Sequence, residues 1–250
     1  MDLAKTKQFG LIGKNIEYSF SRKYFFKKFS DELYADCTYQ NFDIQAIDQF
    51  PIIITENPNL KGLNVTIPYK ESVMLHLDKL SKNATLVGAV NVIKFTKKGK
   101  LKGYNSDFYG FKKSIKTVLQ PHHKKVLILG TGGAAKAVAF ALDLLGIYYT
   151  FVSRNTENEN TITYNRINET TFDNYQIVIN CTPLGTEPNV SECPEIPYHY
   201  FTANHIAFDL IYNPEKTLFL QKAHKKGAII KNGYEMLVFQ AEKAWKIWNK

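Results

Sequence analysis

The segment KVLILGTGGAAKAVAFALDLLG, residues 125–146, constrains the fold of this chain more than any other. An apolar strand ends at Gly130, a glycine-rich turn spans Gly130 to Gly133, and an alanine-rich helix closes near Gly146. Glycines allow a pyrophosphate to approach the backbone, and the helix start offers unpaired N–H groups at the positive end of its dipole. The small residues Ala134, Ala135, Ala137 and Ala139 let such a helix sit close to a sheet. The spacing is G-x-G-G-A, a departure from G-x-G-x-x-G in which the third small residue falls at Ala135. Strand and helix flank the turn as dinucleotide binding requires; the alternative is a tight turn used only for packing. The next strand, YYTFVSRN, ends in Ser153, Arg154 and Asn155, where an NAD-binding chain places an acid for the ribose 2′-hydroxyl. A guanidinium binds a 2′-phosphate bidentately, so the expected cofactor is NADP, against the alternative of an exposed arginine capping a strand.

From Asp107 onward, apolar strands alternate with helical stretches: KVLILG, YYTFVSR, YQIVIN, HIAFDLI and GAIIKNG. That alternation predicts a parallel sheet covered on both faces. The polar, Asn-rich segment from Glu157 to Thr171 reads as a variable surface connection. Upstream, Phe9–Ile12 closed by Gly13 predicts a strand, and Phe25, Phe29 and Leu33 at helical spacing predict a helix within Ser21–Tyr34. A second unit runs through NVTIPYK, where Pro68 stops the strand. Val73, Leu75, Leu77 and Leu80 then supply apolar positions for a following helix. Val92–Phe95 and Leu101–Tyr104 flank KKGK, which predicts a hairpin with Gly99 at positive φ. Tyr234–Trp248 is amphipathic, with Leu237, Ala241, Ala244, Trp245 and Trp248 on one side, and predicts a helix docked on the fold.

At 250 residues and 44% hydrophobic content the chain is long enough for one large or two ordinary domains. No apolar run reaches the roughly 20 residues of a membrane span, and MDLAKTKQFG lacks the apolar core of a signal peptide. A cytoplasmic protein without membrane partners is expected. Cys37, Cys181 and Cys193 show no metal-ligand spacing, so neither disulfides nor a metal are expected. The formal charge of +9 comes from dispersed lysines, which read as solvated faces rather than a nucleic-acid interface.

NVTIPYK (64–70), GAVN (88–91), YNSD (104–107), GTGGAA (130–135), SRN (153–155), NCTPLG (180–185), DLIY (209–212) and NGYEMLVFQA (232–241) stand in the order and spacing of one family. On them the chain resembles the NADP-dependent shikimate dehydrogenases over essentially its whole length. The resemblance implies an α/β fold of two domains. A three-layer α/β substrate domain would comprise 1–105 plus 233–250, and a Rossmann-type doubly wound NADP domain 106–232. The chain would cross near Asn105 and return near Asn232, with a cleft that closes on ligand. It implies reversible NADPH-dependent reduction of 3-dehydroshikimate to shikimate. The alternatives are a quinate/shikimate dehydrogenase of broader ring or cofactor use, and a ligand-binding relative without catalysis. Lys70 matches the family's catalytic lysine and Asp107 the carboxylate paired with it; taken alone, each reads as a solvated lysine and a helix cap. Ser19 and Ser21 match the S-x-S serines that receive the substrate carboxylate. Asn64, Thr66, Asn91, Asn105 and Gln240 match residues that hydrogen-bond the ring's hydroxyls or carboxylate, and Tyr212 a tyrosine near the ring. Gly130, Gly132, Gly133, Ala134, Ser153, Arg154 and Asn155 match the dinucleotide contacts. Thr182, Pro183 and Leu184 are expected along the nicotinamide ribose, and Gly233 and Met236 near the nicotinamide. Two motifs depart from the family: N-S-D-F carries Ser106 and Phe108, and in SRN Asn155 replaces a common Thr. A monomer or homodimer acting on a small molecule is the expected assembly.

Overall fold

The computed structural model describes residues 6–17, 19–155 and 159–250. The chain divides into two compact units, one of residues 1–106 and 240–250, the other of 107–239.

The first unit holds β1 (Lys7–Gly13), α1 (Phe20–Asp31), β2 (Cys37–Asp43), α2 (Phe50–Glu56), β3 (Leu60–Val65), β4 (Lys79–Leu80), α3 (Lys82–Val87), β5 (Val92–Phe95) and β6 (Leu101–Tyr104). The strands form one mixed sheet in the order β2-β1-β3-β5-β6-β4. One face packs on Phe50, Ile53, Val73 and Ala84. The other packs on Phe25 and Phe29 of α1 and on Ala241, Ala244, Trp245 and Trp248 near the C-terminus, so the unit has three layers. Gly62 is required by this packing: a Cβ there would stand 2.2 Å from the Trp248 indole, whose Nε1 donates to the Ile93 carbonyl at 3.0 Å.

Two sequence expectations are corrected in these units. Residues 71–80 form no α-helix: Ser72–His76 is a 3-10 turn and Lys79–Leu80 a short edge strand. Only Val73 of the expected apolar stripe is fully buried, and Leu75 is 91% exposed. The spacing there serves two separate short elements, each too brief to show a helical period. The second correction is the polar segment from Glu157 to Thr171, whose first two residues lie outside the described ones. It carries an edge strand, Thr161–Thr163, and the start of a helix, with Ile167 buried. The expected hairpin is present, with Gly99 at φ +72°.

The second unit holds α4 (Asp107–Ile115), β7 (Lys125–Leu129), α5 (Gly133–Asp143), β8 (Tyr148–Ser153), β9 (Thr161–Thr163), α6 (Glu169–Asn174), β10 (Ile177–Asn180), β11 (Ile206–Asp209), α7 (Leu218–His224), β12 (Ile229–Lys231) and the first turns of α8 (Tyr234–Trp248). All six strands are parallel, in the order β12-β11-β10-β7-β8-β9. Read from β7, the order reverses between β7 and β10, the doubly wound arrangement whose switch point lies at the carboxyl ends of those strands. Phe172, Phe219 and Leu220 cover one face. On the other, Phe111 meets Phe208 at 5.2 Å and Phe108 meets Phe140 of α5 at 5.0 Å. The bulk of Phe108, part of the N-S-D-F departure, is thus absorbed by a ring contact between α4 and α5.

Lys28 ties α1 to the middle of α8. Its side chain is 7% exposed and bonds Glu32 at 2.6 Å and Glu242 at 2.8 Å, and Glu242 also accepts from the Tyr24 hydroxyl. Burial alone would push the Glu242 carboxyl up, but the bonds from Lys28 and Tyr24 hold it below its ordinary value. A carboxylate depressed in the folded state adds stability above its unfolded pKa, and loses it as pH falls through the folded value. Glu242→Gln is therefore expected to cost about 1–2 kcal/mol at pH 7. The gap to the parent should close as pH falls below about 4.3, the ordinary glutamate value. Urea midpoints of both proteins across that range check it; a gap independent of pH would remove the ion pair from the account.

Candidate active site

In the first unit the sheet register sets one row of residues across five strands: Asn41, Leu11, Asn64, Val92 and Tyr104. Thr66, Asn91 and Asn105 lie just beyond that row, at the same sheet edge. The polar side chains are cross-linked there. The Tyr39 hydroxyl donates to Asn64 Oδ1 at 2.8 Å and also meets the Ser21 side chain. Burial pushes this phenol up, with the Ser21 bond acting against it, so it stays a neutral donor. Asn64 Nδ2 donates to the Asn91 carbonyl at 3.3 Å. The Asn91 amide bonds Ser106, with Oδ1 accepting from its N–H at 2.6 Å and Nδ2 donating to its hydroxyl at 3.0 Å. Ser106, which departs from the family in the same motif as Phe108, thus braces Asn91. Asn105 donates to the Ala89 carbonyl at 3.0 Å.

Ser19 is the N-cap of α1, accepting the Arg22 N–H at 3.3 Å and donating to Asn41 at 3.3 Å. Ser21 follows in the first turn, where N–H groups and the helix dipole favour an anion. The turn after β3 is fixed from three sides. The Thr66 N–H donates to the Ile12 carbonyl at 2.9 Å and the Val90 N–H to the Lys70 carbonyl at 2.7 Å. The Tyr69 hydroxyl donates to the Ile44 carbonyl at 2.7 Å. Lys70 therefore leaves a rigid backbone and is half-buried. Gln240 contributes a buried Oε1 that has no hydrogen-bond partner among the described residues. Such an acceptor costs about 1–3 kcal/mol unless something donates to it, as a ligand hydroxyl would.

In the second unit a matching row crosses four parallel strands: Val152, Leu129, Asn180 and Asp209. Just past it come Ser153 and Arg154, Gly130, Cys181 and Thr182, and Leu210. The expected cofactor residues therefore share the carboxyl edge at the switch point. Gly130 sits at φ +103°, a conformation that disfavours any side chain. Gly132 is the N-cap of α5, and a Cβ on it would meet nothing within 4 Å. Lys136 N–H bonds the Gly132 carbonyl at 3.0 Å, leaving the amides of Gly133, Ala134 and Ala135 without intrahelical acceptors. Open space before three free-ended amides fits a pyrophosphate. Arg154 and Asn155 are exposed, and the Asn155 N–H bonds Ser153 Oγ at 3.3 Å. Among the described residues no carboxylate forms an ion pair with Arg154.

Thr182 is held by Asn180, its N–H at 3.0 Å and its hydroxyl at 2.6 Å from Oδ1, and the Leu184 N–H bonds Thr182 Oγ1 at 3.3 Å. Pro183 at this turn is exposed. Gly233 could carry no side chain, since a Cβ would stand 2.0 Å from the Leu210 carbonyl oxygen. Met236 is 5% exposed and Tyr212 half-buried, its phenol pushed up by burial and by Glu187. Asp107 is 2% exposed and opens α4, where the dipole favours its negative charge.

Sequence reasoning missed Tyr39, Asn41, Asp209 and Thr217. Asp209 stood inside a quoted motif without a role. Tyr39 and Asn41 lie on β2, whose inward set of Cys37, Tyr39 and Asn41 mixes apolar and polar residues, so no hydrophobic alternation announces the strand.

Comparison with known proteins identifies the family. The family model for the shikimate dehydrogenase substrate binding domain matches residues 11–93. The NADP(+) shikimate dehydrogenase of Clostridium botulinum is 37% identical, over 96% of this chain and 95% of its own. The crystal structure of shikimate dehydrogenase from Aquifex aeolicus superposes with TM-score 0.86 at 31% identity, covering 98% of this chain and 93% of that one. That of Thermus thermophilus, in complex with NADP(H) and shikimate, gives TM-score 0.83 at 28% identity, covering 97% and 93%. With a relative this similar over nearly its full length, the chain belongs to the shikimate dehydrogenase family.

Proposed function

We propose that this protein catalyses the reversible NADPH-dependent reduction of 3-dehydroshikimate to shikimate. The observation that carries the reading is the carboxyl edge of the parallel sheet. There an open glycine turn, a helix start and an arginine with no acidic partner among the described residues stand together, the set of groups a phosphorylated dinucleotide requires. Residues 106–232 bind NADP through Gly130, Gly132, Gly133, Ala134, Ser153, Arg154 and Asn155, with Thr182, Pro183, Leu184, Gly233 and Met236 toward the nicotinamide. Residues 1–105 with 233–250 bind the ring. Ser19 and Ser21 receive its carboxylate at the α1 N-terminus, while Asn64, Thr66, Asn91, Asn105, Tyr212 and Gln240 bond or flank its hydroxyls.

When bound, the cofactor supplies the hydride. The chain supplies charge and proton control at the ring oxygen. Reduction of a ketone builds negative charge on oxygen, and the Lys70 ammonium stabilises that charge and donates a proton to it. Asp107 accepts from the same hydroxyl and orients it. Fixed backbone on both sides of Lys70 means that little reorganisation accompanies the step.

The test is NADP+ reduction by purified protein given shikimate or quinate, followed by NADPH absorbance. Turnover with shikimate exceeding that with quinate is the expected result. Absence of NADPH formation above background with either ring would reject the proposal.

A further inference from the structure

Asn180 and Asp209 are register partners at the ends of β10 and β11, and neither is exposed. The Asp209 carboxylate accepts three hydrogen bonds: from Asn180 Nδ2 at 3.1 Å, the Ile211 N–H at 3.0 Å and the Thr217 hydroxyl at 2.6 Å. A carboxylate only accepts, whereas an amide side chain donates at one end and accepts at the other. Asp209 thereby dictates which way the Asn180 amide faces. With Nδ2 committed to Asp209 and, at 3.4 Å, to the Leu184 carbonyl, Oδ1 is presented to the N–H and hydroxyl of Thr182. The same carboxylate holds the Ile211 amide, one residue before Tyr212. It also holds Thr217, the N-cap of α7. The Leu210 N–H bonds the Asn180 carbonyl at 3.1 Å, and Gly233 rests against the Leu210 carbonyl.

We infer that Asp209 is a positioning residue for the nicotinamide half of the cofactor: its negative charge sets the Asn180 amide, and through it the shape of the 182–184 turn. This rests on the reading that the turn lines the nicotinamide ribose. A merely packed side chain at this place would not need to be ionised, and burial makes ionisation costly. Burial pushes the Asp209 carboxyl up and the bonds from Thr217, Ile211 and Asn180 pull it partly back, leaving it raised to about 6. The other titratable groups that sense it, Cys181 and Tyr198, are both pushed up by burial and stay neutral through this range. The carboxylate is thus charged at neutral pH and gains a proton near pH 6. Once protonated it can donate, and the amide loses its enforced orientation.

The experiment measures NADPH affinity by fluorescence titration and the two KM values, for NADP+ and shikimate, between pH 5 and 8. It uses the full-length parent, Asp209→Asn and Thr217→Val. The parent should bind NADPH more weakly as pH falls through about 6. Asp209→Asn should weaken NADPH binding and raise the NADP+ KM about tenfold at pH 7.5. It should leave the shikimate KM within about twofold and abolish the inflection. Thr217→Val removes a bond that favours the charged form, so its inflection should move to higher pH. Parent-like NADPH affinity and pH profile in Asp209→Asn would overturn the inference. So would a parallel rise in both KM values, which marks a merely structural role. If the parent itself fails to oxidise shikimate, the functional reading falls, while the NADPH titrations of parent and variants still decide the role of Asp209.

Discussion

Lys70→Ala is expected to lower kcat for shikimate oxidation by roughly 10²–10⁴-fold, the usual scale for a positioned proton donor, while NADPH affinity stays within about twofold. The reason lies in what the substitution leaves behind. The Lys70 carbonyl still accepts from Val90 at 2.7 Å and the preceding turn is still pinned by Thr66 and Tyr69, so the backbone has no cause to move. Only the ammonium is lost, and with it the charge that meets the developing alkoxide. Lys70 belongs to the first unit and the dinucleotide turn to the second, so NADPH titration serves as an internal control. Steady-state rates with both ligands saturating read the effect. A kcat within about threefold of the parent would remove Lys70 from the chemistry even if the rings still bind.

How far such a prediction was visible without coordinates differs between the two units, for a physical reason. The second unit is a buried parallel sheet whose strands read as continuous apolar runs. YQIVIN becomes Ile177–Asn180 and HIAFDLI becomes Ile206–Asp209. Its site residues follow strand ends directly, so finding the strands finds Gly130, Arg154 and Thr182. In the first unit the site is assembled from side chains that bond one another across a mixed sheet. Asn64 and Asn91 could be named from their motifs, but the strand that supplies Tyr39 and Asn41 presents polar groups inward and hides from a hydrophobicity pattern. The buried Asp209–Asn180–Thr182 chain was hidden for a related reason. Each member looks like an ordinary strand-end polar residue, and only the register of β10 against β11 shows that they face one another. The expected helix over 71–80 failed because the leucine and valine positions at near-helical spacing are divided: Val73 and Leu75 lie in a 3-10 turn, Leu77 just after it and Leu80 in an edge strand.

Cofactor choice turns on one side chain, and its removal should be the second large effect. Arg154→Ala is expected to raise the NADP+ KM roughly 30- to 200-fold, the loss of about 2–3 kcal/mol from charge-assisted bonds to a phosphate. The NAD+ KM should change by less than about threefold, because NAD+ offers a hydroxyl where NADP+ offers the phosphate. The fold should not be affected, since Arg154 is exposed and has no acidic partner among the described residues. Its neighbour Tyr164 has a phenol that burial pushes up and the guanidinium pulls down. Salt supplies an independent reading of the same contact. Charge pairing at an exposed site is screened over about 8–10 Å at physiological ionic strength, so the parent's NADP+ KM should rise with salt while that of Arg154→Ala stays nearly flat. Equal losses for NADP+ and NAD+ would mean that Arg154 shapes the strand end rather than reading the phosphate, and the discrimination would then have to come from the open turn at Gly132.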